Sequence, residues 1–322
     1  MSSRTDPAGV WSATPTPFTS SYELDVDSIP RMVEHHLRLG VSGLMLAGTC
    51  GEGAWMRDRD RERLTRSVVQ AAQGRLRIAL QVTDNSVGRT LDNIELAAEW
   101  GADLAVVAAP YFQFNATPRR LTELYRDIIR QSALPIGFYD RGAHSPFSLP
   151  VASLQEILAE PNVAMVKDSS INAERRSHYI QAKARRSNLV VLSGDEFDCV
   201  TPLREGYDGL LLGGGIFNGA IALKIIAAAR AGDFDQAATL QARMNDLMHR
   251  VYGGAKIECW LTGLKELLVQ MGVFSTHANL LEYPLTESCR AQIHAAVSGE
   301  DGMGFAADLL GEKRSVTLAH AG

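Results

Sequence analysis

The 322-residue chain carries 32 Lys+Arg against 37 Asp+Glu, a formal charge of −5, with 46% hydrophobic and 21% charged residues. These fractions are those of a globular protein with ample core, and they exclude disorder and fibrous repeats. A mildly acidic chain without a basic tract is a poor match for nucleic acid, and no stretch approaches the roughly 20 apolar residues that span a bilayer.

The first twenty residues contain Asp6, three prolines and no apolar h-region, so the expectation is a cytoplasmic protein without a signal peptide. Short β-rich apolar runs then alternate with longer helical patterns. Strands are predicted at Val10–Thr14, Gly43–Leu46, Arg77–Gln81, Leu104–Val107, Ile136–Tyr139, Val163–Lys167, Val190–Ser193 and Gly209–Leu212. Between them apolar residues recur at spacings of three and four, as in Leu64/Val68/Ala71/Ala72 and Leu121/Leu124/Tyr125/Ile128/Ile129. Asp27-Ser28 before Pro30 and Thr117-Pro118 read as helix starts, and Gly40, Gly74 and Gly101 as left-handed helix ends.

Strand ends recur about every 30 residues, the length of one βαβ unit, and eight units over about 220 residues suit a (β/α)8 barrel. A doubly wound sheet would want a Gly-rich phosphate turn after its first strand, and Thr14-Pro15-Thr16-Pro17-Phe18 is not one. The predicted fold is therefore α/β, a (β/α)8 TIM barrel over residues 8–231 followed by a helical extension. Asp233–Tyr252, Lys256–Met271 and Thr286–Val297 read as helices packed on the barrel or on a neighbouring subunit, within residues 232–300. Residues 301–322 read as a tail whose apolar patch (Phe305, Leu309, Leu310) makes a short helix before it frays. Cys50, Cys199, Cys259 and Cys289 show no paired metal spacing and suit free thiols.

In this fold chemistry gathers where the strands end at their C-terminal rim. Gly48-Thr49-Cys50-Gly51-Glu52 follows the second strand, Pro110-Tyr111-Phe112 the fourth, and Tyr139 ends the fifth. Lys167-Asp168 ends the sixth, Gly194-Asp195-Glu196 follows the seventh and Gly213-Gly214-Gly215 the eighth. Lys167 is the most informative. It ends an apolar strand, and desolvation in a low-dielectric barrel mouth disfavours the ammonium form. A neutral amine attacks ketones to give Schiff bases, which are electron sinks for C–C cleavage or dehydration. A lone strand-end lysine also fits a side chain that snorkels to solvent or pairs with Asp168.

Tyr139, one strand away at the same height, suits a proton shuttle at an imine carbon, or a packed ring with a hydrogen-bonded tip. Glycines in the 48–52 turn allow inward N–H groups, an anion cradle to which Thr49 adds a hydroxyl. Asp195 reads either as a hydroxyl acceptor with Glu196, or as a cap acting with Asp198 that leaves Glu196 in solvent. The triple glycine reads as holding the mouth open rather than binding phosphate. Only His144 of the scattered histidines lies near the rim, so no metal cluster is expected, and Cys50 has no histidine partner for nucleophilic work.

Together these residues resemble the N-acetylneuraminate lyase/dihydrodipicolinate synthase family of class I, Schiff-base-forming, pyruvate-dependent barrels. The resemblance rests on Thr14-Pro15-Phe18, Gly48-Thr49-Cys50-Gly51-Glu52 for G-[ST]-T-G-E, Pro110-Tyr111, Leu134-Pro135-Ile136-Gly137-Phe138-Tyr139, Val166-Lys167-Asp168 and Ser193-Gly194-Asp195, from about residue 8 to residue 290. It implies an imine on Lys167, a proton relay at Tyr139, and a 2-oxo acid carboxylate held by Thr49 and the Cys50 amide. Glu52 would be a structural cap of that turn. Tyr111, Arg141, His144, Gly194, Gly213, Asp195 and Glu196 complete the candidate substrate contacts.

The departures from the family pattern are Cys50 for its second threonine, Phe112 where the synthase branch often has a second tyrosine, and His144 where that branch has an arginine for a second carboxylate. Arg141 offers a cation from another position, with different geometry. Asp195-Glu196 resembles the pair with which the sialic-acid lyase branch grips hydroxyls. The expectation is a cofactor-free and metal-free lyase that cleaves or dehydrates a 2-keto-3-deoxy sugar acid or a related 4-hydroxy-2-oxo acid. The alternative is a dihydrodipicolinate synthase condensing pyruvate with aspartate semialdehyde, and a third reading is a non-catalytic 2-oxo acid binding protein. A homo-oligomer, dimer or tetramer, is expected, with no nucleic-acid or membrane partner.

Overall fold

The strand segments are predominantly apolar, as a parallel sheet covered on both faces requires. The computed structural model describes residues 8–112 and 116–311. In chain order it has β1 (Val10–Ala13), α1 (Ile29–Leu39), β2 (Gly43–Leu46), α2 (Asp58–Ala72), β3 (Arg77–Gln81), α3 (Val87–Glu99), β4 (Leu104–Val107) and α4 (Pro118–Gln131). Then come β5 (Ile136–Asp140), α5 (Val151–Leu158), β6 (Val163–Asp168), α6 (Ala173–Arg185), β7 (Val190–Ser193), α7 (Val200–Glu205), β8 (Gly209–Leu212) and α8 (Gly215–Arg230). The strands close into a parallel barrel in sequence order, β8 pairing with β1, so the expected (β/α)8 architecture is met.

Beyond the barrel lie α9 (Phe234–Tyr252), α10 (Trp260–Gln270), α11 (Glu287–Ser298) and α12 (Phe305–Leu310). α9 packs on α8, α10 and α11 pack on α9, and α12 returns to α8. The helix expected from Lys256 begins only at Trp260. Gly253, Gly254 and Ile257 are left-handed at φ +81°, +91° and +56°, and the Cys259 N–H turns back to the Tyr252 carbonyl, so a turn occupies the start of that apolar pattern. Thr117 caps α4 by accepting from the Arg120 N–H, and Gly40 ends α1 at φ +79°. The start signal at Asp27-Ser28 works differently: Asp25 accepts from both the N–H and the hydroxyl of Ser28 and makes a short 3-10 turn ahead of α1. α12 buries Phe305 and Leu309 and exposes Leu310. The expectations for residues 1–7 and for fraying over 312–322 lie outside the described residues. All four cysteines are buried free thiols, and no helix among the described residues is long and apolar enough to cross a membrane.

α1 buries two adjacent histidines against the barrel. His36 Nδ1 donates to the Met32 carbonyl at 2.8 Å, and its Nε2 accepts from the Ser12 hydroxyl at 3.0 Å; His35 Nε2 donates to the Ile216 carbonyl at 2.7 Å. Burial lowers His35 from 6.5 to about 4 and His36 to about 3. Because the folded values are depressed, the stability these neutral rings contribute is complete above pH 6.5 and drains away as pH falls towards 4. Tm is expected to drop across that window, at up to about 1.4 kcal/mol per pH unit for each ring. Thermal melts of wild type and His36→Gln at several pH values check this, and equal slopes in the two proteins would contradict it.

Candidate active site

β5 and β6 pair with Tyr139 opposite Lys167 and Asp140 opposite Asp168. Side chains alternate along a strand, so Tyr139 and Lys167 share one face of the sheet while the two aspartates take the other. Lys167 is buried, 7% exposed, and its Nζ lies 4.2 Å from the centre of the Tyr139 ring. It neither snorkels nor pairs with Asp168. Asp168 instead accepts from the Tyr207 hydroxyl at 2.7 Å and the Ser170 N–H at 2.9 Å. Asp140 accepts from Arg175 Nε at 2.6 Å, from the Gly142 N–H at 2.9 Å and from the Tyr179 hydroxyl. These bonds satisfy carboxylates that would be costly to bury alone, and they hold the ends of both strands.

The hydroxyls of Thr49 and Ser169 lie on the side of the Tyr139 phenol and favour its ionised form. Burial raises this phenol, but the charges of Lys167 and Arg141 and the two hydroxyls outweigh it and lower the phenol below its ordinary value of 10. Thr49 sits in the turn after β2, whose glycines serve close packing rather than positive φ. A Cβ on Gly51 would come within 2.9 Å of Ala47 N and Thr14 O, and one on Gly53 within 1.9 Å of Ala47 O. Ala47 and Glu52 take the left-handed conformations of this turn, at φ +54° and +58°.

Glu52 leaves the turn in the direction of the C-terminal helices. It is wholly buried, pairs with Lys265 of α10 at 2.5 Å, and accepts from the Leu280 N–H. Lys265 also donates to the Ala278 carbonyl at 2.8 Å. Burial pushes Glu52 up and Lys265 down, each opposed by the other's charge. Cys50 lies against the Gly213 carbonyl at 3.7 Å, and burial with the neighbouring Glu196 charge pushes its thiol up to about 12. Such a thiol does not ionise near neutral pH.

Beside Tyr139 opens a cavity of about 100 Å³ whose wall includes Thr49, Trp55, Gln81, Tyr111 and Arg141. Larger hollows, about 240 Å³ against α5 and α6 and about 420 Å³ beside Gly9 and Ser42, are lined by neither Tyr139 nor Lys167. Gln81 Nε2 donates to the Tyr111 hydroxyl at 2.6 Å. Arg141 lines the cavity, whereas His144 is exposed and outside its wall.

Glu196 is not in solvent. Its Oε2 accepts from the Gly214 N–H at 2.7 Å and its Oε1 from the Tyr252 hydroxyl at 3.0 Å, and burial raises its carboxyl. Asp195 accepts from the N–H groups of Phe197 and Asp198, at 3.1 and 3.3 Å, and it is Asp198 that receives the Thr201 N–H at the head of α7. The pair is therefore less free for substrate hydroxyls than the sequence suggested. A Cβ on Gly213 would sit 3.5 Å from Glu196 Oε2, and one on Gly215 would press to 2.8 Å from Ser12 Cα, so part of the triple glycine serves contact between α8 and β1.

Sequence reasoning missed Ser169, Trp55, Gln81, Tyr252 and Lys265. Ser169 had a signal, two residues beyond Lys167 in the same alternation. Lys265 and Tyr252 reach the site from helices remote in sequence and had none. Among the described residues, no group of three or more His, Cys, Asp and Glu is placed to hold a metal ion.

A buried amine beside a phenol at the end of a closed barrel suits imine chemistry at ketones. The sequence pattern of the dihydrodipicolinate synthetase family matches residues 6–300. The chain belongs to this family. It is accordingly a class I, Schiff-base-forming lyase of the pyruvate-dependent aldolase group. Its relatives include the 4-hydroxy-tetrahydrodipicolinate synthase of Maridesulfovibrio salexigens, 27% identical over 288 residues that cover 89% of this chain and 96% of that protein. The same-named protein of Xanthomonas axonopodis pv. citri is 27% identical over 266 residues, 83% of this chain and 86% of that one. Dihydrodipicolinate synthase from Bacteroides thetaiotaomicron superposes with a TM-score of 0.82 at 26% identity, over 92% of this chain and 99% of its own. CdNal from Clostridium difficile, solved with mannosamine, gives 0.79 at 17% identity over 90% and 98%, a likeness of fold alone.

Proposed function

We propose that Lys167 forms an imine with pyruvate, Tyr139 moves protons at the imine carbon, and the enzyme condenses bound pyruvate with aspartate semialdehyde. The observation that carries the choice of partner is Arg141 in the cavity wall beside Tyr139 and Tyr111. A substrate with a second carboxylate needs a cation there, because burying an unpaired anion costs several kcal/mol. The relatives named 4-hydroxy-tetrahydrodipicolinate synthase support the same reading.

The Lys167 amine attacks the ketone carbon, and the ketone oxygen takes a proton from Tyr139. Loss of water then leaves the imine, while Thr49 and the Cys50 amide hold the pyruvate carboxylate. Removal of a methyl proton makes an enamine, whose carbon attacks the semialdehyde carbonyl while Arg141 grips the far carboxylate. A second reading is aldol cleavage or dehydration of a 2-keto-3-deoxy sugar acid. It is favoured by the exposed His144 where the synthase branch has an arginine. The two reactions share the imine and differ in the bond that breaks next.

Turnover of pyruvate with aspartate semialdehyde, set against a panel of 2-keto-3-deoxy sugar acids, tests the choice. Arg141→Ala is expected to lower kcat/KM for the semialdehyde by about 1.5–3 kcal/mol, the scale of hydrogen bonds to charged groups, and to leave the pyruvate imine intact. Faster turnover of sugar acids, or indifference to Arg141→Ala, would promote the second reading.

A further inference from the structure

The loop between β5 and α5, residues 141–149, is held at both ends by one side chain of α6. Arg175 is buried, and its Nε donates to Asp140 at 2.6 Å while its Nη1 donates to the Leu149 carbonyl at 2.7 Å. Asp140 is the last residue of β5, and Leu149 lies just ahead of α5. The same carboxylate accepts the Gly142 N–H at 2.9 Å and the hydroxyl of Tyr179, one turn further along α6. Gly142 is left-handed at φ +50°, and a Cβ there would come within 2.7 Å of Ser170 Cβ, so the loop starts pressed against the chain just beyond β6. What the loop presents to the cavity beside Tyr139 is Arg141, Ser145 and Pro146. Tyr139 is held differently, by the backbone ladder in which it pairs with Lys167. The site thus has two separate supports: the sheet for the amine and phenol, and a buried ion pair for the loop that carries the cation.

Building on the reading of Arg141 as the group that meets the semialdehyde carboxylate, we propose that Arg175 and Asp140 are positioning residues for the second substrate. Neither lines the cavity, so they act through the loop. The guanidinium is a rigid fork with one arm on each end of that loop, which fixes two points of the segment and presents Arg141 from one place. Ordering the loop in advance removes a cost that the substrate would otherwise meet on binding, a gain in affinity without a new contact. The buried pair suits this work. Asp140 is satisfied by Arg175, Tyr179 and the Gly142 N–H together, and a polar network satisfied in this way holds one geometry. Formation of the pyruvate imine lies outside its reach.

Steady-state kinetics and hydrogen exchange test this in wild type, R175K, D140N/R175M and R141A. Lysine keeps a charge for Asp140 but is a single point where the guanidinium has two arms. The double variant removes both buried charges together, so neither protein is left with a lone ion inside the fold. Both are expected to raise KM for aspartate semialdehyde about 10-fold or more, while borohydride trapping of the pyruvate imine stays within about twofold of the wild-type rate. Adding R175K to R141A should raise that KM no further, since the clamp works through Arg141. Amides of residues 141–149 should exchange faster in R175K and D140N/R175M, and those of β5 and β6 as in wild type. A wild-type KM in D140N/R175M, an imine slowed as much as the semialdehyde step, or additive effects of R175K and R141A would overturn the proposal. If wild type turns over no semialdehyde, the proposed function itself fails and exchange decides the clamp. Faster exchange of residues 141–149 in D140N/R175M then upholds the hold on the loop, and equal exchange overturns it.

Discussion

Pyruvate followed by borohydride is expected to leave a stable mass increase on the peptide that contains Lys167, and on no other lysine. Lys167→Ala should abolish the adduct and lower turnover by about 10⁴-fold or more, on the order of 5.5 kcal/mol, because the covalent route is lost with its nucleophile. The geometry behind this is a buried amine 4.2 Å from the Tyr139 ring centre, with its neighbour Asp168 held by Tyr207 and the Ser170 N–H. Lys167→Arg separates covalent chemistry from packing. It keeps the charge and much of the stem, but a guanidinium remains protonated and forms no imine. Turnover in that variant within about tenfold of wild type, or an equal adduct in Lys167→Ala, would sink the assignment.

Lys265→Met is expected to destabilise the fold by about 3–5 kcal/mol, the cost of leaving one member of a buried ion pair without the other. Lys265 and Glu52 are 213 residues apart and wholly buried, so removal of the ammonium strands the Glu52 carboxylate where water cannot reach it. The loss should be read as a lower midpoint in denaturant. It should also raise KM for the 2-oxo acid, since Glu52 closes the turn that carries Thr49 and Cys50. Adding Glu52→Gln to Lys265→Met should recover much of the stability, because a neutral amide can be buried more cheaply than a lone carboxylate. A midpoint unchanged in Lys265→Met, or a double variant weaker than the single, would show that the pair does not hold the turn.

The barrel was legible because its evidence is local. Each strand is a short apolar run, the runs recur at the length of one βαβ unit, and the predicted strand ends differ from those observed by one residue at most, as at Ala13, Asp140 and Asp168. The start of α10 was not legible, since the apolar pattern from Lys256 continues through a turn built on three left-handed residues. Tyr139 and Lys167 can be placed side by side from the amino-acid sequence, because equal height on adjacent parallel strands follows from strand length and alternation.

The sequence by itself therefore determined the barrel, its rim and the pair of amine and phenol at its mouth. Only the tertiary structure decided which charges line the cavity beside that pair. Arg141 lines the cavity and His144 does not, although only two residues of one loop separate them. Glu196 goes to the Gly214 N–H and the Tyr252 hydroxyl, and Glu52 goes to Lys265. The physical reason is common to all three. A carboxylate or cation takes its role from the partners and burial it finds, and for the two glutamates those partners are Gly214 just ahead of α8, Tyr252 of α9 and Lys265 of α10, which meet the rim only once the barrel has closed and the last helices have packed against it.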